Sequence, residues 1–362
     1  MNMAGSIYGT VFRLSTFGES HGKSIGGIID GCPSGFIIDF DKIQNELDRR
    51  RPGQSKISTD RNEEDIFEIQ SGIFEGKTTG TPIAFIIKNK DARSKDYGNI
   101  KSTFRPSHAD YTYQEKYGIR DYRGGGRSSA RETAVRVVAG AIARQFLEEK
   151  GIRIYSWVHR VGDIAINVSD DSLDLSKIES NIVRCPDAQT AELMIAKITE
   201  FKDLGDSLGG AIKCMVKGMP VGLGEPVFDK LNAELAKAIF SINAVKYMEI
   251  GAGKAGTFKS GSQLNDEFIS DGEKVSTSTN NSGGILGGIS NGEDLIFETG
   301  FKPVATIMKD QNTINMGKEA VVIKAEGRHD PCVLPRAVPI IEAMTAMLLI
   351  DMFLRDKTTK WI

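Results

Sequence analysis

Three of the four histidines in this chain stand in loops whose neighbours could move protons. They are His21 in Gly18-Glu19-Ser20-His21-Gly22, His108 in Arg105-Pro106-Ser107-His108-Ala109-Asp110, and His329 in Gly327-Arg328-His329-Asp330-Pro331-Cys332. Imidazole titrates near neutrality, so a histidine held beside a hydroxyl or a carboxylate in a glycine- or proline-bounded loop suits general acid or base work. A lone histidine is more often a packed or surface group, and His159 in Trp157-Val158-His159-Arg160 reads as an ordinary strand residue. Metal chemistry is not expected: no His-x-His or His-x-x-x-His pair occurs, and no carboxylate cluster has ligand spacing. A hydrolase triad of Ser20, His21 and Asp330 is a rival reading of the same residues.

The densest signal is Tyr122-Arg123-Gly124-Gly125-Gly126-Arg127-Ser128-Ser129-Ala130-Arg131-Glu132-Thr133. Ser129 followed three residues later by Glu132 predicts a capping box, so a helix is expected to begin there with unpaired N–H groups facing outward. Glycines let the backbone approach a bound group, and Arg127 and Arg131 add to the helix dipole's preference for negative charge. A glycine turn that merely caps a buried helix has no need of three arginines within nine residues, so the segment reads as a phosphate-binding corner. Its spacing fits neither a Walker loop nor a dinucleotide fingerprint. A second basic run, Asp48-Arg49-Arg50-Arg51-Pro52-Gly53-Gln54-Ser55-Lys56, closes a different helical stretch. Alone it is a solvated helix end that complements the dipole; joined to the first cluster it is a candidate grip for a multiply anionic ligand.

These residues must be held by an α+β scaffold. Apolar periodicity predicts helices near residues 41–50, 129–150, 190–201, 229–240 and 335–354, and glycine turns bound β-rich runs at 24–30, 83–87 and 211–216. Gly31-Cys32-Pro33-Ser34-Gly35 and Gly218-Met219-Pro220-Val221-Gly222 each follow an apolar run. Chance recurrence and an internal pseudo-duplication of a strand-and-helix unit both explain the echo. No proline- or serine-rich linker divides the chain, so residues 1–362 are expected to form a single domain. A formal net charge of -2 recommends neither nucleic acid nor an anionic membrane as a partner. The longest apolar stretch, 343–354, is interrupted by Asp351 and preceded by Glu342, which makes it too short and too charged to cross a bilayer. The first residues lack a basic start and an apolar run, so a cytoplasmic protein is expected. Cys32, Cys185, Cys214 and Cys332 lie far apart and read as reduced and structural.

With the motifs in view, the sequence resembles the chorismate synthase family from near the N-terminus to about residue 350. The resemblance is carried by Thr16-Phe17-Gly18-Glu19-Ser20-His21-Gly22, Phe104-Arg105-Pro106-Ser107-His108-Ala109-Asp110-Tyr111, the glycine–arginine segment 123–133, and Gly327-Arg328-His329-Asp330-Pro331-Cys332. It implies a β-α-β sandwich, two antiparallel sheets around a central helical layer, assembled as a homotetramer. It implies reduced FMN bound beside 5-enolpyruvylshikimate 3-phosphate, and a 1,4-anti elimination of phosphate that gives chorismate without net redox change. That reaction is the last common step of the shikimate pathway. NADPH enters only as an indirect reductant, since no dinucleotide fingerprint or added domain is found.

Residue by residue, the resemblance implies His21 as the acid for the leaving group, His108 as the control of flavin protonation, and Asp330 as the aid to proton removal. Ser20 and Ser129 would order a proton relay. Arg127, Ser128, Ser129, Asn243, Ala244, Gly287, Lys302 and Arg328 match positions that cradle FMN, with Pro303, Val304, Ala305 and Thr306 in the same stretch. Arg49, Arg50, Arg105 and Arg131, with Lys56, match positions that clamp the substrate or a dinucleotide phosphate. Two departures stand out. Val304 and Ala305 replace hydroxyl residues common in the family, and Lys56 replaces an arginine fork by a point charge. A flavin- or phosphate-binding protein without the chemistry is the alternative from another class, and a non-flavin phosphate-ester hydrolase is a third.

Overall fold

The computed structural model describes residues 5–59, 63–90, 101–324 and 330–360. Its main strands form two five-stranded antiparallel sheets. The first contains β1 (Ile7–Tyr8), β2 (Arg13–Gly18), β3 (Ser24–Asp30), β4 (Phe67–Ile69) and β5 (Ile83–Lys88), in the order β1-β2-β3-β5-β4. The second contains β6 (Arg153–Val161), β7 (Ile164–Ala165), β8 (Gly210–Lys217), β9 (Val245–Ile250) and β10 (Leu295–Phe301), in the order β9-β10-β8-β6-β7. The longer helices are α1 (Phe40–Arg50), α2 (Asp110–Tyr117), α3 (Thr133–Glu149), α4 (Ala188–Asp203), α5 (Leu231–Phe240) and α6 (Leu334–Asp356).

Leaving aside the short edge strands and the inserted α2 and α4, both halves run strand, strand, helix, strand, strand, helix. The neighbour orders also correspond, β2-β3-β5-β4 in one sheet and β6-β8-β10-β9 in the other. The two echoing glycine segments occupy matching places after β3 and β8. Gly31 and Gly218 have φ of 80° and 76°, and a Cβ would stand 1.9 Å from the Val11 carbonyl oxygen in the first and 2.3 Å from that of Gly151 in the second.

Helix α3 packs against β2 and β3 of the first sheet and against α1, while α6 packs against β6 and β8 of the second sheet and against α5. The two helices also pack on each other. One continuous apolar cluster runs from Phe12 to Met352 through both sheets and both helices. By length and composition α6 could cross a membrane, which the interrupted apolar run did not suggest, yet 89% of its most apolar window is buried inside this protein. Its internal charges are buried and satisfied. Asp351 accepts hydrogen bonds from the Thr10, Val11 and Phe12 N–H groups at 3.0, 2.6 and 2.9 Å, tying the turn before β2 to the helix. Glu342 accepts from Ser156 N–H at 3.0 Å and pairs with Arg49 and Arg144 at 2.6 and 3.1 Å. Burial alone would raise the Glu342 pKa, but these two guanidiniums hold it below the usual range. Pro339 has no N–H for the Pro335 carbonyl one turn earlier, and Arg184 donates to that carbonyl instead.

The α3–α6 contact is tightest at Gly140, where a Cβ would lie 2.3 Å from both Cα and Cβ of Ala343. Alanine would gain about 1 kcal/mol of helix propensity. Forcing the backbones apart costs roughly 1–3 kcal/mol, and here the obstruction is backbone that cannot rotate away. Gly140→Ala should therefore lower the midpoint of urea unfolding, and an unchanged or raised midpoint would show that the helices separate freely.

Candidate active site

Six segments distant in sequence converge on a cavity of about 380 Å³. The end of α1 supplies Arg50, the loop before α2 supplies Arg105 and His108, and the glycine segment supplies Gly124 and Ser128 to Arg131. The α5–β9 link gives Asn243 and Ala244, the stretch after β10 gives Lys302, Pro303, Val304, Ala305 and Thr306, and the entry to α6 gives Asp330 and Arg336. Thr59, Glu63 and Ser107 complete the charged and polar part of the lining. Four arginines and one lysine there face two carboxylates, Glu63 and Asp330, a surplus of three positive charges. Such a lining favours an anion.

The arginines are fixed by carboxylates and amides behind them. Asp65, itself at φ 51°, pairs with Arg50 at 3.0 Å and with Arg131. Burial would raise the Asp65 pKa, but Arg50 and Arg131 together hold it below the usual carboxylate value. Arg50 also donates to Thr133 Oγ1 at 3.2 Å and to the Ala130 carbonyl at 2.6 Å, which locks it to the segment entering α3. Burial pushes its guanidinium down, with Asp65 opposing. Arg131 donates from Nε to Asn89 at 2.9 Å, and its NH2 is buried without a protein partner. Arg105 forms a two-pronged pair with Asp110, at 2.8 and 2.9 Å.

Asp110 also sets the state of His108. Its Oδ1 lies 2.9 Å from His108 Nδ1, and Arg105 NH2 lies 3.0 Å from the same nitrogen. An arginine has no lone pair to offer, so the arrangement that satisfies all three groups puts the proton on Nδ1, donated to Asp110, and leaves Nε2 as an acceptor. Burial lowers the His108 pKa, with Asp110 opposing and Arg105 and Lys302 assisting the decrease. His108 is thus an oriented imidazole whose charged form burial disfavours.

The glycine segment lies between the two histidine loops. A Cβ on Gly125 would stand 3.3 Å from His108 Cε1, and a Cβ on Gly124, at φ 63°, would stand 2.4 Å from His21 Cε1 and 2.6 Å from Ser20 Oγ. Ser20 Oγ is 2.9 Å from His21 Nδ1 and 3.4 Å from the Gly124 carbonyl. Ser20 and His21 therefore back onto Gly124 and do not themselves line the cavity. The hydrolase triad is not assembled. Asp330 accepts from Thr59 N–H at 3.0 Å and pairs with Arg336, not with His21. The Gly18-Glu19-Ser20-His21-Gly22 pattern joins β2 to β3, whereas a nucleophile elbow joins a strand to a helix.

Several expected site residues lie elsewhere. Arg49 points to the core, where it pairs with Glu46, Glu179 and Glu342 at 2.5, 2.7 and 2.6 Å, because it sits one helical step from Arg50 on a different face of α1. Lys56 is exposed and outside the lining. Gly287 caps the hairpin at residues 285–290, away from both cavities. Arg127 lines a larger neighbouring cavity of about 1010 Å³, donating to Gly18 O, Ser6 Oγ and Thr16 Oγ1 at 3.2, 3.3 and 2.7 Å. The two cavities share Ala109, Ser128 and Asn243. The capping box is not formed: Ser129 accepts from Arg131 N–H and caps a single 3₁₀ turn, Ala130–Glu132, while Glu132 pairs with Arg136 at 2.8 Å, so α3 begins only at Thr133. Arg328 and His329 fall outside the described residues. Arg336, Asp65 and Asp110 were not singled out from sequence, although Asp110 stood inside a quoted motif. Among the described residues no group of three or more His, Cys, Asp or Glu side chains is arranged to hold a metal ion.

A family model for chorismate synthase matches residues 12–354. The chain belongs to the chorismate synthase family. It is therefore an enzyme of the lyase class. Relatives named chorismate synthase include one from Christiangramia forsetii, 60% identical over 99% of this chain and 100% of the relative, and one from Cytophaga hutchinsonii, 57% identical over 98% and 99%. A solved chorismate synthase crystal structure superposes with a TM-score of 0.78 at 31% identity, covering 96% of this chain and 93% of that one.

Two measurements check the site geometry. Gly124→Ala should displace Ser20 and His21 and reduce turnover far more than it lowers the melting temperature; equal losses would mean a general folding defect. In an NMR titration His108 should protonate below the ordinary 6.5, because burial disfavours the charged ring. Asp110→Asn removes the influence that raises this pKa, so the midpoint should fall further, and a rise would contradict the assigned hydrogen bond.

Proposed function

We propose that the chain eliminates phosphate in 1,4-anti fashion from 5-enolpyruvylshikimate 3-phosphate to give chorismate, with reduced FMN held in the cavity. The observation that carries the reading is a single cavity that combines a surplus of positive charge with an oriented imidazole and a carboxylate. Anion capture alone would need the first feature and neither of the others.

The residues present fit a flavin and a multiply anionic substrate. Two polar atoms on the lining are buried without partners, Arg131 NH2 and Asn243 Oδ1, one a donor and one an acceptor. Leaving such groups unpaired costs about 1–3 kcal/mol each, a cost that a bound ligand removes. Asn243, Ala244, Ser128, Ser129, Lys302, Pro303, Val304, Ala305 and Thr306 would hold FMN, with Arg127 reaching from the adjoining cavity. Because Val304 and Ala305 lack hydroxyls, side-chain hydrogen bonding in that stretch falls to Lys302 and Thr306. Reduced FMN bound there would supply electron density to the allylic system and take it back over the reaction, with no net redox change.

The chain's own residues supply the rest. Arg50, Arg105 and Arg131 bind the phosphate and carboxylates and stabilise the charge that develops on the departing group. Asp330 aids removal of the carbon-bound proton, its carboxylate held by Thr59 N–H and Arg336. His108 keeps Nε2 as an acceptor, and likeness to the family assigns the acid for the departing phosphate to His21, which is bonded to Ser20 and packs behind Gly124, outside the lining. Likeness to the family supports a homotetramer in the cytoplasm with FMN reduced by an external donor, NADPH acting indirectly. One apolar cluster supports a single domain from 1 to 362, and the matching strand orders support a sheet–helix–sheet sandwich built by internal duplication.

Anaerobic incubation of the purified protein with 5-enolpyruvylshikimate 3-phosphate and dithionite-reduced FMN should release chorismate and phosphate in equal amounts, and neither without flavin. Phosphate without chorismate would indicate a hydrolase, and tight FMN binding without turnover would indicate a binding protein.

A further inference from the structure

Arg336 enters the cavity lining from the first turn of α6, just beyond Pro335. Nothing in its sequence setting resembles an anion motif, yet its guanidinium touches two functional segments at once. Its NH1 pairs with Asp330 Oδ2, and its Nε donates to the backbone carbonyl of Arg50 at 3.1 Å. Asp330 Oδ1 meanwhile accepts from Thr59 N–H at 3.0 Å. Both oxygens of one carboxylate are thus fixed by donors from different parts of the chain, which removes rotation of the group about its last torsion. The Nε contact fixes the last residue of α1, whose own side chain is bound to Asp65.

We infer that Arg336 is a positioning residue that aligns Asp330 for proton removal. The inference rests on the reading of Asp330 as the residue that aids proton removal. A planar guanidinium is required because two donors in a rigid fork must reach two acceptors; an ammonium supplies the charge but one point of contact. Arg336 acts through Asp330, and the effect of changing it falls on the chemical step.

The test uses the full chain with R336K, R336Q, D330N and the double variant R336K/D330N. Substrate affinity is measured by calorimetry without flavin, and kcat and KM under anaerobic turnover with reduced FMN. R336K should lower kcat by up to about 100-fold, the scale of an ångström-sized misplacement, while calorimetric affinity hardly moves. In the D330N background R336K should cost no further kcat, because the group it aligns is already gone. R336K keeps the cavity's charge and carries the test if R336Q does not fold. Loss of substrate affinity in step with kcat would overturn the inference in favour of direct substrate binding. Multiplying losses in the double variant would overturn it in favour of independent action. A slow D330N with an unimpaired R336K would overturn it alone, whereas a D330N with full kcat would overturn the Asp330 assignment and the inference together.

Discussion

Two guanidinium groups set side by side in a buried cavity repel each other, and the shared Asp65 carboxylate is what keeps Arg50 and Arg131 there before any ligand arrives. The pairing outweighs what it costs. Holding a non-glycine residue at positive φ takes about 1–3 kcal/mol, whereas removing one partner of a buried pair typically takes about 3–5 kcal/mol. The backbone at Asp65 therefore bends to suit the ion pair. The same device recurs around the cavity: Asp110 holds Arg105, and Asp330 holds Arg336. Each carboxylate neutralises part of a charge while leaving the lining positive, so the cavity stays assembled and still attracts an anion.

The carboxylates do not satisfy every buried polar atom of the lining. Arg131 keeps a donor and Asn243 an acceptor without partners, both buried. Ser107 and Ala244, also on the lining, hold φ of 58° and 70° although neither is glycine. One residue secures both strained backbones. The Lys302 N–H donates to the Ala244 carbonyl at 2.9 Å, and its Nζ donates to the Ser107 carbonyl at 2.7 Å. Burial, with Lys246 nearby, lowers the Lys302 pKa. A lysine that matches a flavin-cradling position is thus also the clamp that sets the loop carrying His108, so its loss would move that imidazole as well as remove a charge.

Much of this was legible in the sequence because the relevant signals are local. Glycine-bounded runs predict strands at 24–30 and 83–87 and apolar periodicity predicts helices at 41–50 and 190–201, against strands at 24–30 and 83–88 and helices at 40–50 and 188–203 in the structure, and the glycine–arginine segment advertises close approach to an anion. What was not legible depends on contacts between distant segments. Arg49 and Arg50 are equivalent as letters, and only the packing of α1 against α3 and α6 decides that one faces Glu342 and the other the cavity. The Ser129–Glu132 spacing promised a capping box, but Arg136 competes for Glu132 and Ser129 satisfies the Arg131 N–H instead. Arg336 carried no signal, since its partners lie 6 and 286 residues away.

The matching order of the two halves explains why such remote residues meet. In the first half the cavity takes Arg50 from the end of α1 and Arg131 from the approach to α3, while Asn89, just after β5, holds Arg131 in place. In the second it takes Asn243 and Ala244 after α5, Lys302 to Thr306 after β10, and Arg336 at the start of α6. These are corresponding connections: the end of the first helix, the end of the last strand, the start of the second helix. Because α3 and α6 pack on each other, their approaches are brought to one place, and the equivalent loops of both halves face a common space. The charged groups of the lining are divided between them, with the Asp65-bound arginines in the first half and the Asp330 carboxylate in the second. Arg336, bonded to Asp330 and to the Arg50 carbonyl, joins the two halves across the cavity.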